Sequence, residues 1–143
     1  MDTRATTLKL PETPREFGFF VNGKMIAAGD RPIMERKSPG HDVPVTRVPM
    51  CTADDLNAAV ASAREAFEDR RWSGLSGADR AGVLLRTAAL IRSHADELSY
   101  WETLENGKPI TQARGEIAGC ASIFEYAAGV ARTLHGDSFN SLG

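Results

Sequence analysis

Two cysteines, three histidines and a scatter of carboxylates are the groups in this chain that could do chemistry, and their spacing decides what they can do. Cys120 is the obvious nucleophile by residue type. It falls on the apolar stripe of a helical pattern with Ile117 and Phe124. A thiol in apolar surroundings has a raised pKa and is inert, so packing is its expected role. Cys51 stands one residue before a helix cap, where the helix dipole favours a thiolate. No histidine lies near it in sequence, and a structural role is weighed ahead of reactivity. His41 sits in a turn, and His94 and His135 sit at helix ends. None has a partner at the i, i+4 spacing of a helical zinc site. Gly115-x-x-x-Gly119 lies inside a helical pattern, where it is expected to admit a neighbouring backbone rather than cradle a phosphate. Glu65, Glu68, Asp69, Asp96 and Glu97 read as solvated helix faces, with no pair singled out for acid–base work.

Composition narrows the field further. Net charge is −2, so no basic field draws the chain to nucleic acid, and none is expected as a partner. No apolar run approaches the ~18 residues of a membrane helix, and the first nine residues lack the apolar core of a secretory signal. Two distant cysteines do not make a disulfide framework, so a reducing, cytoplasmic setting is expected.

The elements that must position these groups can be read in order. Residues 1–18, polar with Pro11 and Pro14, are expected to be a flexible arm. Asn22-Gly23 between Phe19-Phe20-Val21 and Lys24-Met25-Ile26 predicts a tight hairpin, because both turn positions need positive φ. A second extended pair, Ile33–Lys37 and Val43–Val48, flanks the turn Ser38-Pro39-Gly40-His41. Pro44 places the second run at a sheet edge or at the start of a strand. Helices follow. Thr52 with Asp55 resembles a capping box before the stripe Leu56, Ala59, Val60, Ala63 and Phe67. Trp72-Ser73-Gly74 interrupts, and the next helix starts near Ser76 with Ala81, Leu84, Leu85, Ala88 and Ile91 as its buried stripe. A third, through Leu98, Trp101 and Leu104, ends at Asn106-Gly107 with Pro109 beyond. Thr111 is expected to cap a fourth, whose stripe is Ile117, Cys120, Ala121, Phe124, Ala128, Ala131 and Leu134, with Gly136 as its stop. Residues 137–143 read as the start of a connection.

Placed in sequence, these elements resemble the N-terminal portion of an NAD(P)-dependent aldehyde dehydrogenase. Asn22-Gly23-Lys24 is similar to that family's opening strands, and Ser38-Pro39-Gly40 stands where an Asn-Pro-x-Thr-Gly type turn is usual. Thr52-Ala53-Asp54-Asp55-Leu56 with Ala58-Ala59-Val60 looks like its first long helix, and Trp72, Arg80, Leu84 and Leu85 match the next. Glu102, Asn106, Gly107, Lys108 and Pro109 match a Glu-x-x-x-x-Gly-Lys-Pro element. Phe124, Tyr126, Ala128, Gly129, His135 and Gly136 match the pattern leading toward the oligomerisation strands. Ser38 in place of Asn, and Ala127 where a second aromatic is common, are departures.

The resemblance implies an α/β fold with a Rossmann-like cofactor domain, of which this chain is the mostly α-helical N-terminal part with β-hairpins at its start. Residues 19–136 would belong to the cofactor-binding domain. The family oxidises an aldehyde to a carboxylic acid with NAD or NADP: a Cys thiolate attacks, hydride passes to the nicotinamide, and a Glu base activates water. Those residues come from later sequence, so no catalytic or cofactor-binding residue is assigned here. The chain alone is expected to be inactive and to bind no nucleotide. By resemblance, the full-length enzyme is a homo-oligomer acting on an aldehyde substrate. Some relatives bind a monovalent cation near the acidic residue before Asn-Gly-Lys-Pro, which is Glu105 here, together with backbone carbonyls near the first strand turn and ligands from later sequence. An exposed carboxylate at a helix end is the competing reading of Glu105. The alternative for the whole chain is a non-catalytic helical module that docks on a full-length homologue.

Overall fold

The computed structural model describes residues 8–136. Five short strands precede four helices: β1 (Arg15–Glu16), β2 (Phe19–Val21), β3 (Lys24–Ile26), β4 (Ile33–Lys37), β5 (Pro44–Pro49), α1 (Ala53–Glu68), α2 (Gly77–Ser93), α3 (Ala95–Asn106) and α4 (Ile110–Thr133). β2 and β3 form the expected hairpin, with Asn22 at φ +50° and Gly23 at +75°. This pairing of positive φ values matches the right-handed twist of the strands it joins.

The second sheet has the order β1-β5-β4. Pro44 opens β5, where its missing N–H removes no interior ladder bond, and the register slips between Arg36 and Lys37 opposite it. β5 is central because β1 pairs with the edge that β4 leaves open. The segment expected to be a flexible arm is tied down in its described part: Arg15 and Glu16 pair in parallel with Thr46 and Arg47. Around that pairing Arg15 forms an ion pair with Glu97 at 2.9 Å and lies over the Trp101 ring. Phe17 meets Trp101 edge to face, and the Tyr100 hydroxyl donates to the Lys9 carbonyl. The proline-rich composition signalled no helix, and it left open this two-residue strand. Residues 1–7 and 137–143, the outer arm and the expected connection, lie outside the described residues.

Helix α1 has the capping box foreseen for it: Thr52 Oγ1 accepts from the Asp55 amide, and Asp55 Oδ2 accepts from the Thr52 amide at 2.9 Å. Ser76 caps α2 more simply, its Oγ accepting from the Asp79 amide. Helix α4 differs from expectation. It begins at Ile110, after Pro109 at ψ 135°, so Thr111 lies inside the first turn and no side chain caps it. The chain's exit from Gly107 sets the start, and Pro109 at its edge needs no donor of its own.

The main helical contact is between α2 and α4, which run antiparallel. Ala81 and Ala88 of α2 and Ala113, Ala121 and Ala128 of α4 are buried. Small side chains of this kind let helix axes approach the short end of the usual ~8–10 Å range. Gly77 completes the seam. A Cβ there would fall inside van der Waals contact with the Ala131 carbonyl oxygen, so the first turn of α2 lies directly on the backbone of α4. Gly115 and Gly119 do not serve this purpose, contrary to the sequence reading: a Cβ at either would meet open space.

Helix α1 is the exception to this packing. None of its residues is buried, and Leu56, Val60 and Phe67 of its stripe are 62%, 60% and 71% exposed.

Candidate functional site

The region richest in polar organisation is the turn between α3 and α4. Gly107, at φ +72°, ends α3 in the left-handed conformation, and its amide donates to the Thr103 carbonyl. A Cβ on Gly107 would lie 3.4 Å from Pro39 Cβ, in ordinary van der Waals contact, so the turn lies beside the β4–β5 connection. That connection is itself well ordered by hydrogen bonds. Ser38 is fully buried, its amide donates to the Val43 carbonyl at 2.9 Å, and its carbonyl accepts from the Asp42 amide at 2.8 Å.

Two carboxylates flank the turn and are used differently. Lys108 reaches between Glu102 of α3 (2.7 Å) and Glu116 of α4, holding the two helices at a fixed angle. Its ammonium is held above the usual lysine range, first by the hydrogen bond to Glu102 and then by that to Glu116. Glu116 is correspondingly lowered by Lys108. Glu105 faces the strands instead. Its Oε1 accepts from Thr46 Oγ1 at 2.5 Å, and its Oε2 is 3.0 Å from Arg36 Nε. Arg36 and Thr46 are direct cross-strand partners in the β4–β5 register, so their side chains stand on one face and reach the same carboxylate. A carboxylate already engaged at both oxygens, one of them by a guanidinium, is a poor fit for a further cation. Among the described residues no cluster of three or more His, Cys, Asp or Glu could hold a metal ion.

A second charged anchor lies at the start of α1. Arg31 meets Asp55 as a two-pronged fork, Nε to Oδ2 at 2.8 Å and Nη2 to Oδ1 at 2.7 Å. Asp55 is held far below the usual carboxylate range, chiefly by Arg31 and then by the Thr52 amide.

The candidate nucleophiles and histidines are not brought together. Cys51 is exposed and Cys120 half-buried, both free thiols. His41 contacts Ser38 Oγ at 3.0 Å, His94 lies 3.6 Å from Glu97, and His135 contacts the Thr133 carbonyl at 3.0 Å. A cleft of about 490 Å³ between the two sheets is lined by Phe17, Met25, Ile33, Glu16 and Arg47, with none of these groups in its wall. The left-handed glycines Gly23, Gly29 and Gly107 lie at a hairpin, a loop and a helix end, and none of them forms the strand-to-helix turn that receives a pyrophosphate in a Rossmann-type fingerprint.

Sequence reasoning located Glu105 but missed Arg36, Thr46 and the Lys108 bridge. The hairpin register would have paired Arg36 with Thr46. Nothing in sequence spacing joins Lys108 to Glu116 eight residues on, because the turn between them is not helical.

Comparison with known proteins places this geometry. The chain matches the aldehyde dehydrogenase family over residues 26–143. It is 37% identical to aminoaldehyde dehydrogenase 2 of Zea mays over 133 residues, covering 88% of this chain and 26% of that protein. It is 34% identical to an aldehyde dehydrogenase of Aspergillus niger, covering 87% of this chain and 25% of that one. The crystal structure of an NAD-dependent aldehyde dehydrogenase from Sinorhizobium meliloti superimposes with a TM-score of 0.84 at 42% identity, over 92% of this chain and 26% of the other. The chain thus spans about a quarter of the length of the relatives it matches.

Proposed function

The chain belongs to the aldehyde dehydrogenase family, and we propose that it supplies the N-terminal helical layer of an enzyme that oxidises an aldehyde to a carboxylic acid with NAD or NADP. In this reading residues 19–136 are the N-terminal part of the cofactor-binding domain, extended by the β1 strand at Arg15–Glu16, and residues 137–143 are a connection. The full-length enzyme is a homo-oligomer in a cytoplasmic setting. The observation that carries the reading is the family match over residues 26–143, within which the junction Glu102–Pro109 resembles the family's Glu-x-x-x-x-Gly-Lys-Pro element and is held by a strand-facing carboxylate, a left-handed glycine and a bridging lysine.

What this layer contributes is positional. Lys108 fixes α3 against α4, Glu105 fixes α3 against the β4–β5 sheet, and the alanine seam fixes α2 on α4. In this reading no chemical step is assigned to this chain. On its own it neither oxidises aldehydes nor binds the nucleotide.

Calorimetric titration of the purified chain with NAD⁺ and NADP⁺ to millimolar levels tests this. The expected result is no saturable heat, on a scale where a millimolar Kd corresponds to about 4 kcal/mol. Micromolar binding, or NADH production that copurifies with the chain, overturns it. The bare stripe of α1 supports a second reading, a non-catalytic module docked on a full-length homologue. Mass measurement of the chain mixed with a full-length family enzyme separates the two, since only the module forms a stable mixed complex.

A further inference from the structure

We infer that Arg36 is a built-in counter-cation for Glu105, doing with a covalently attached guanidinium what a bound monovalent ion would do at that carboxylate. This inference concerns the junction alone and stands whether or not the catalytic reading holds. Three observations meet here. Glu105 is half-buried at the last turn of α3, where the helix dipole disfavours a carboxylate. Its charge therefore needs a partner on the strand side. Arg36 Nε is 3.0 Å from Oε2, and Thr46 Oγ1 occupies Oε1. Finally, Arg36 and Thr46 are held side by side by the β4–β5 register, just before the slip at Lys37, so the site is assembled by backbone pairing and not by a flexible loop.

A small ion at the same carboxylate would have to displace the guanidinium or sit beside it as a like charge. The arrangement is consequently self-neutralised, and the strand-to-helix contact is independent of potassium or sodium.

Amide hydrogen exchange at constant ionic strength tests this, with choline exchanged for K⁺ or Na⁺. In the wild-type chain, protection of the β5 amides and of the Gly107 amide is expected to be the same in all three salts. Arg36→Gln should lower that protection by up to about fivefold, the range of a half-exposed ion pair. The loss should be absent when Glu105→Gln is already present, and Arg36→Lys should recover part of it. A K⁺- or Na⁺-specific gain in wild-type protection that disappears in Glu105→Gln overturns the inference. So does an additive effect of the Arg36 and Glu105 changes. The wild-type salt comparison decides the question even if Arg36→Gln fails to fold.

Discussion

Helices α1 and α4 carry equally clear apolar stripes, yet one stripe is covered and the other is bare. Along α4, Ala113, Ala121 and Ala128 are buried against neighbouring helices, and Gly77 of α2 presses on the Ala131 backbone. Along α1, Leu56, Val60 and Phe67 stand out from the surface, and α1 meets its neighbours chiefly through the β2 strand and the Arg31–Asp55 fork. The difference teaches that a helical period reports which side of a helix is apolar, and not whether the chain itself supplies what covers it. The α2–α4 seam is built from small residues that gain by close approach. The α1 stripe is built from large ones that gain only by entering a complementary surface.

The comparison can be broken most sharply at the seam. Gly77→Val places a branched side chain where even a Cβ has no room, and should destabilise the fold by about 3 kcal/mol. Urea titration followed by circular dichroism measures this, and a loss well under 1 kcal/mol would mean that α2 does not rest on α4 as described. A smaller effect is expected where α3 joins α4. Lys108→Met leaves Glu102 and Glu116 facing each other without their shared cation, and should lower stability measurably less than Gly77→Val. The sign of its pH dependence is fixed by the raised ammonium. The contribution is complete below the ordinary lysine value of about 10.4 and is lost as pH rises through the higher folded value. An alkaline titration in which wild type and Lys108→Met fall together would contradict the bridge.

At α1 the fork should show an acid signature. Asp55 is lowered in the folded state, so its contribution is complete above the ordinary aspartate value of about 3.9 and is lost as pH falls through the folded value. Helicity followed from pH 5 down to pH 1 should drop with a component that Asp55→Asn removes. The smallest effect sharpens the contrast from the other side. Val60→Lys on the bare stripe should change stability by no more than about 0.5 kcal/mol. It should also reduce binding of a dye that reports exposed apolar surface. A loss as large as that at Gly77 would mean that α1 is covered after all.

Much of this architecture was legible in the residues. Asn22-Gly23 declared its turn because few other pairs tolerate two positive φ values, and Thr52, Ser76 and Gly107 marked helix ends by the same local logic. The α2 and α4 stripes identified Ala81, Ala88, Ala121 and Ala128 correctly, but Leu85, expected to be buried on α2, is 50% exposed, and Leu134, placed on the α4 stripe, is 74% exposed just past the helix end. Errors came where a local rule had a rival. Thr111 is a good cap by type, but Pro109 had already set the helix start. Gly115 and Gly119 share the spacing of a close-packed helix pair, but they turn away from α2 and α3, while the contact falls on a terminal glycine, Gly77. At the candidate site, Glu105 could be found from its motif. Its partners were missed, since the β4–β5 register pairs Arg36 with Thr46 but nothing in the sequence places that pair against the last turn of α3.

Helix α4 also has a mechanical consequence. Its 24 residues make a rod roughly 36 Å long. Near its start Glu116 is tethered to Lys108, at its middle Glu125 is gripped by Arg92, and at its end Ala131 abuts Gly77. Advancing a helix by one residue couples a slide of about 1.5 Å to a roll of about 100°. Either motion would tear at least one of these three fastenings. Screw motion of the rod is therefore opposed at three points along its length, two of which tie it to α2 and one to the turn before it. Pro109 and Leu134, both extended, bracket the rod.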